Sequence, residues 1–155
     1  MDAQMDPNVE IYPMPSFPLL QVTDLAAAAR WYQEALGFQH IFTMPGPGGA
    51  PGLVHLRWVK YADVLLTSRP APAGPRGLGV TLSFSAYLAE RTVDAIAAQA
   101  AAAGATIAAP PADMPWNARE CTIQDPDGYR LTFSQPINIR REFNDVLDSV
   151  RKADR

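Results

Sequence analysis

The chain has 155 residues, 48% of them apolar and 19% charged, a balance that suits a globular protein of one compact domain or two small fused modules. Thirteen basic against sixteen acidic residues leave a net charge of −3, without the Lys/Arg-rich face that phosphate neutralisation needs, so nucleic acid is not an expected partner. No apolar run approaches the roughly 20 residues that span a bilayer, no basic-then-apolar leader opens the sequence, and the single cysteine, Cys121, rules out an intramolecular disulfide; a reducing cytoplasm is the expected location, with no membrane partner.

Residues 1–15 hold three prolines and no periodicity and read as an extended arm. Ser16–Thr23 alternates and predicts a strand. Asp24 is a good N-cap, and Leu25, Ala28, Ala29, Tyr32 and Leu36 then fall on one helical face, closed by Gly37 as the left-handed residue past the end. Three strand-like stretches follow, Phe38–Met44, Leu53–Val59 and Ala62–Ser68, the first two separated by the loop PGPGGAPG.

The same order then recurs. Gly79–Ser85 alternates as a strand. Thr92 caps a helix whose inner face is Val93, Ile96, Ala97, Ala100 and Ala101, with Gly104 at its end. Short strands are predicted at Thr106–Ala108, Glu120–Gln124 and Tyr129–Ser134, the last two joined by Asp125-Pro126-Asp127-Gly128, a good hairpin turn. The chain thus reads βαβββ twice, about 16–68 and 78–136, and this duplication is its strongest organisational signal. Residues 137–155 add a C-terminal helix with Phe143, Val146, Leu147 and Val150 on one apolar stripe, suited to packing on the domain or on a partner subunit.

Two stretches carry a resemblance. LLQVTDLAAAARWYQEALGF (19–38) and PWNARECTIQDPDGYRLTF (115–133) are similar to the opening and closing motifs of the vicinal oxygen chelate superfamily, the glyoxalase/bleomycin resistance protein/dioxygenase proteins. The resemblance covers about residues 16–136 and implies an α+β fold in which two βαβββ modules form a curved mixed-sheet cleft, here with an N-terminal arm and a C-terminal helix. It also implies a homodimer.

Metal-dependent members of that family place His, Glu or Gln on four inward strand positions. Aligned by the motifs above, those positions hold Phe17, Leu65, Thr81 (Val80 if the register slips) and Thr132. Phenylalanine and leucine have no donor atom, and a neutral threonine hydroxyl is a poor ligand for Zn, Fe or Ni. The expectation is therefore no metal and no other cofactor. A displaced centre would need both histidines, His40 and His55, plus a carboxylate such as Glu120 or Asp63. Cys121 reads as a small buried hydrophobe, not a nucleophile.

Strand parity then gives the lining of the cleft. Phe17, Leu19 and Gln21 face it from the first strand, Leu65 and Thr67 from the fourth. Thr81, Ser83 and Ser85 face it in the second module, together with Arg130, Thr132 and Ser134. Trp116 either stacks on a ring or cation or seals its loop against the sheet, and Arg119 and Glu120 either add a polar rim or face solvent as a pair. His40 completes the candidate set. His55 and Arg57 share a face whose side, cleft or solvent, parity leaves open.

The reading that follows is a metal-free binding protein without catalytic residues, sequestering a small organic ligand, with aromatic molecules and antibiotics as candidates, as drug-resistance members of the family do. The alternatives are a lyase, isomerase or dioxygenase with a displaced metal site, and a metal-free enzyme using Glu120 or a histidine as general base.

Overall fold

The computed structural model describes residues 4–5, 9–68 and 79–153. Parts of the expected N-terminal arm (1–3 and 6–8), the start of the second module at 78 and the last two residues of the C-terminal helix lie outside the described residues.

The chain divides into two compact units, 1–78 with 125–129 and 79–124 with 130–155. In the first, strand β1 (Gln4–Met5) precedes β2 (Leu19–Gln21), helix α1 (Leu25–Leu36), β3 (Gln39–Pro45), β4 (Pro51–Arg57) and β5 (Asp63–Thr67). The sheet order is β1-β3-β4-β5-β2, with β2 parallel to β5 and the other pairs antiparallel. Helix α1 forms where the sequence predicts it. The Asp24 carboxylate accepts the Ala27 amide at 2.9 Å, a cap worth about 1 kcal/mol. At the other end Gly37 takes φ 77° and the Trp58 indole donates to the Leu36 carbonyl at 3.0 Å. Leu25, Ala28, Ala29, Tyr32, Ala35 and Leu36 are buried where α1 packs on β3, β4 and β5, whose Ile41, Val54, Leu56, Val64 and Leu66 are buried too.

The second unit repeats this plan. It contains β6 (Thr81–Ser85), helix α2 (Val93–Ala102), β7 (Thr106–Met114), β8 (Ala118–Gln124), β9 (Arg130–Pro136) and α3 (Phe143–Ala153), in sheet order β6-β9-β8-β7 with β6 parallel to β9. Its core is Val93, Ile96, Ala97 and Ala100 from α2 over Phe84, Cys121, Ile123, Leu131 and Phe133. Among the described residues the result is an α+β fold of two mixed sheets with three α-helices.

Among the details that differ from the sequence reading, four bear on the packing. Strand β7 runs to Met114, through Pro110 and Pro111, because it is the edge of its sheet and the two prolines fall in a register shift between the paired residues Ala109 and Ala112, where no ladder amide is required of them. The proline-glycine loop narrows to Gly46–Ala50, since Pro45 pairs with Pro51 at the strand ends. Ala101 is exposed, turned 100° from buried Ala100. Helix α3 starts only at Phe143. Before it, Ile137 and Asn138 donate backbone amides to the carbonyl and side-chain oxygens of Asn117.

Candidate functional site

Each sheet buries one face under a helix and turns its other face away from it. In the first unit that other face is ordered in cross-strand rows. Leu19, Leu65, His55 and Phe42 are successive partners across β2, β5, β4 and β3, and Gln21, Thr67, Leu53 and Met44 form the next row. Beyond His55 lie Arg57 and Asp63, also paired. Here His55 and Arg57 share the face opposite the helix, which parity alone left open.

Asp63 is the hub of this face. Its carboxylate, almost wholly buried, accepts His55 Nε2 at 2.7 Å and Arg57 Nε and Nη2, both at 2.9 Å. The Tyr12 hydroxyl adds a long contact at 3.4 Å, and its ring lies under the Arg57 guanidinium, 4.2 Å from the carbon at the centre of that group. Arg57 Nη1 donates to the Glu10 carbonyl at 2.7 Å, so the segment around Glu10–Tyr12 is tied to the sheet by the same cation. The hydrogen bonds that it donates to Asp63 hold the guanidinium protonated beyond its ordinary range.

A pocket of about 530 Å³ opens at the other end of this face. Leu19, Leu53, Met44 and Thr67 line it with the turn Pro45–Pro47, Gly52 and Ser68. Two glycines shape its wall: a Cβ on Gly52 would stand 2.7 Å from the Gly46 Cα, so no side chain fits where the loop crosses itself.

In the second unit the corresponding rows are polar. Ser83, Thr132 and Thr122 are successive partners, with the two threonine hydroxyls 2.8 Å apart. Ser85, Ser134 and Glu120 form the next row, and Ser134 Oγ donates to Glu120 Oε1 at 3.2 Å. Thr81 pairs with exposed Arg130. Trp116 is 47% exposed, and its indole N–H donates to Glu120 Oε1 at 2.9 Å, which fixes the ring in the turn between β7 and β8. Arg119, next to Glu120, turns the other way, to Asp94 of α2 at 2.7 Å and Asp113 at 2.8 Å. Those contacts lower the Asp94 carboxyl below its usual range.

The model of the glyoxalase/bleomycin resistance protein/dioxygenase superfamily matches residues 16–133. The chain belongs to this superfamily. It is 32% identical over 143 residues to the Mycobacterium bovis protein Mb0911c, itself uncharacterised, covering 88% of this chain and 89% of that one. The fold is similar to that of TioX from Micromonospora sp. ML1 (TM-score 0.60, 24% identity, 77% of this chain and 96% of that one). It is also similar to TnmS3, an antibiotic binding protein from Streptomyces sp. CB03234 (TM-score 0.61, 24% identity, 83% of this chain and 99% of that one).

Metal-dependent members of the superfamily set the next question, whether the residues present fit a divalent ion. Phe17, exposed just ahead of β2, and Leu65, buried in β5, offer no donor; Thr81 and Thr132 offer only neutral hydroxyls. A displaced centre fares no better. His40 pairs with Leu56 and bonds Thr43 Oγ1 at 2.8 Å, whereas His55 pairs with Phe42 and bonds Asp63, so a bulge between them puts the two rings on opposite faces of the sheet. Among the described residues no three His, Cys, Asp or Glu side chains gather as a metal centre would require. Among the described residues the donors at these positions do not fit a metal.

Of the candidate residues, Leu19, His55 and Leu65 fall in one row, Gln21 and Thr67 in the next, Ser83 with Thr132, and Trp116 with Glu120; His40 stands apart on the helix side. Sequence reasoning missed Met44 and Leu53 in the pocket, and it missed Tyr12 over Arg57. The alternation of β3 and β4 carried the signal for the first two. Nothing local signals Tyr12. Cys121 is buried and its thiol is pushed up to about 11 by that burial, so it is no nucleophile.

Proposed function

We propose that this chain is a metal-independent binding protein that sequesters a small organic, aromatic ligand in the cleft of a cytoplasmic homodimer, without catalytic residues. Trp116 carries the reading. It is a half-exposed indole whose orientation is fixed by a carboxylate, beside a sheet face of Ser and Thr hydroxyls, and so it is arranged as a preorganised stacking surface with polar groups at its edge. The unsuitability of Phe17, Leu65, Thr81 and Thr132 as ligands supports it. So does the likeness to TnmS3, which is described as an antibiotic binding protein.

The test is a Trp-fluorescence titration with small planar aromatic antibiotics in buffer containing a chelator. Binding is expected to persist under chelation and to weaken about tenfold in Trp116→Ala, the loss of about 1.4 kcal/mol of stacking and contact. Near-stoichiometric metal in protein purified without chelators, or a clear rise in melting temperature on adding divalent ions, would overturn the reading in favour of an enzyme.

A further inference from the structure

Glu120 is a carboxylate whose hydrogen-bond partners are all neutral. It stands on β8, an interior strand of the second unit's sheet, between Ala112 of β7 and Ser134 of β9. Its Oε1 accepts twice, from the Trp116 indole N–H at 2.9 Å and from the Ser134 hydroxyl at 3.2 Å. Oε2 has no hydrogen-bond partner among the described residues. No buried side-chain nitrogen or oxygen among those residues lacks one, so this second oxygen reaches the surface although the residue is only part-exposed.

The neighbouring cations are engaged elsewhere. Arg119 turns to the helix side of the sheet, where two carboxylates hold it, Asp94 at 2.7 Å and Asp113 at 2.8 Å. Arg130 shares the face of Glu120 but lies four residues along β9 from Ser134, about 13 Å at the rise of a strand. The groups beside Glu120 on this face are uncharged hydroxyls: Ser134, Ser85 beyond it, and the Thr122–Thr132 pair of the adjacent row, bonded to each other at 2.8 Å. A carboxylate drawn partly out of water without a cation attracts a positive group more strongly than it would in bulk solvent.

We infer that Glu120 sets the charge of the ligand: this face takes a planar aromatic molecule that carries a protonated amine, its ring on Trp116 and an ammonium N–H donated to Glu120 Oε2. The inference rests on the binding-protein reading and adds to it the chemistry of the ligand. The oxygen that orients the indole and the oxygen left for the ligand belong to one carboxylate, so the stacking surface and the charge are held at a fixed spacing before the ligand arrives. A neutral analogue keeps the stacking and forgoes the charge-assisted hydrogen bond. An anionic one meets Glu120 as a like charge.

The experiment uses the full chain and three naphthalene probes, 2-naphthylmethylamine, 2-naphthylmethanol and the 2-naphthoate anion, with affinities measured by calorimetry at neutral pH and low salt. The amine is expected to bind about fivefold more tightly than the alcohol, and the alcohol more tightly than the anion. Glu120→Gln keeps an oxygen for the indole N–H and removes the charge; it is expected to bring the amine to within about twofold of the alcohol. Asp148→Asn makes the same change in net charge on the exposed side of α3 and is expected to leave the preference for the amine intact. Should Glu120→Gln not fold, the wild-type ranking and Asp148→Asn decide the matter. Equal affinity for amine and alcohol in the wild type, a preference that survives Glu120→Gln, or one that disappears in Asp148→Asn would each overturn the inference. Three probes that bind alike and all weaken in Trp116→Ala would show that the charge assignment has failed while the binding function stands; no binding of any probe would sink both.

Discussion

The Tyr32 hydroxyl donates to the Asp125 carboxylate at 2.8 Å across 93 residues of chain, with the tyrosine fully buried in α1 and the aspartate at the head of the turn that joins β8 to β9. The other carboxylate oxygen accepts the amides of Asp127 and Tyr129, so one side chain both closes the turn and ties it to the first helix. That is why 125–129 folds with the first unit although its neighbours on both sides belong to the second. Burial and the nearby carboxylate keep the Tyr32 phenol un-ionised well above its ordinary range.

Tyr32→Phe keeps the ring and its edge contact with Phe38 at 5.3 Å but strips a buried carboxylate oxygen of its donor. Urea unfolding is expected to show a loss of about 1–3 kcal/mol. A change below about 0.5 kcal/mol would mean that water replaces the hydroxyl and that the bond does not hold the turn.

Asp125 also gives a pH signature. Burial raises its carboxyl above the ordinary aspartate value of about 3.9, against the hydrogen bonds from Tyr32 and Tyr129, which favour the anion. Between the unfolded and the raised folded value the native state binds more protons, so this contribution is complete below the unfolded pKa and is lost as pH rises through the folded one. The unfolding free energy of the wild type minus that of Asp125→Asn is therefore expected to fall from pH 3 to pH 7. A difference that rises with pH would show the hydrogen bonds outweighing burial.

Asp63 neutralises Arg57 and orients His55 in a site where all three are buried. Asp63→Ala leaves the guanidinium uncompensated and is expected to cost about 3–5 kcal/mol by thermal or urea denaturation. The double replacement Asp63→Leu with Arg57→Met removes both charges and is expected to recover at least half of that loss. A single-variant cost below about 1 kcal/mol would place the network in solvent.

The Cys121 thiol, pushed up to about 11 by burial, is expected to resist a disulfide reagent such as Ellman's at pH 8 in the native protein and to react stoichiometrically in denaturant. Rapid native labelling would contradict the packing of β8 under α2.

The elements legible in the sequence are those fixed by neighbours along the chain. Asp24 and Thr92 are caps because a short oxygen side chain reaches an amide three residues on, and both do so here, at 2.9 and 3.1 Å. The outward faces of β2, β6 and β9 follow from the two-residue repeat: Leu20, Phe84, Leu131 and Phe133 are buried, while Leu19, Ser83 and Arg130 are exposed.

Tertiary structure decided what depends on register. A single bulge between His40 and Phe42 puts the two histidines on opposite faces, and no spacing rule announces it. The edge position of β7 lets two prolines enter a strand, and only the sheet order defines an edge. Asp63 looks like any polar strand residue until β4 brings His55 and Arg57 to it and Tyr12 approaches from 51 residues earlier. Sequence determines which face a side chain takes, because that is a local rotation. Which partner it meets is set by the sum of contacts that aligns one strand against another, and a single inserted residue changes that answer.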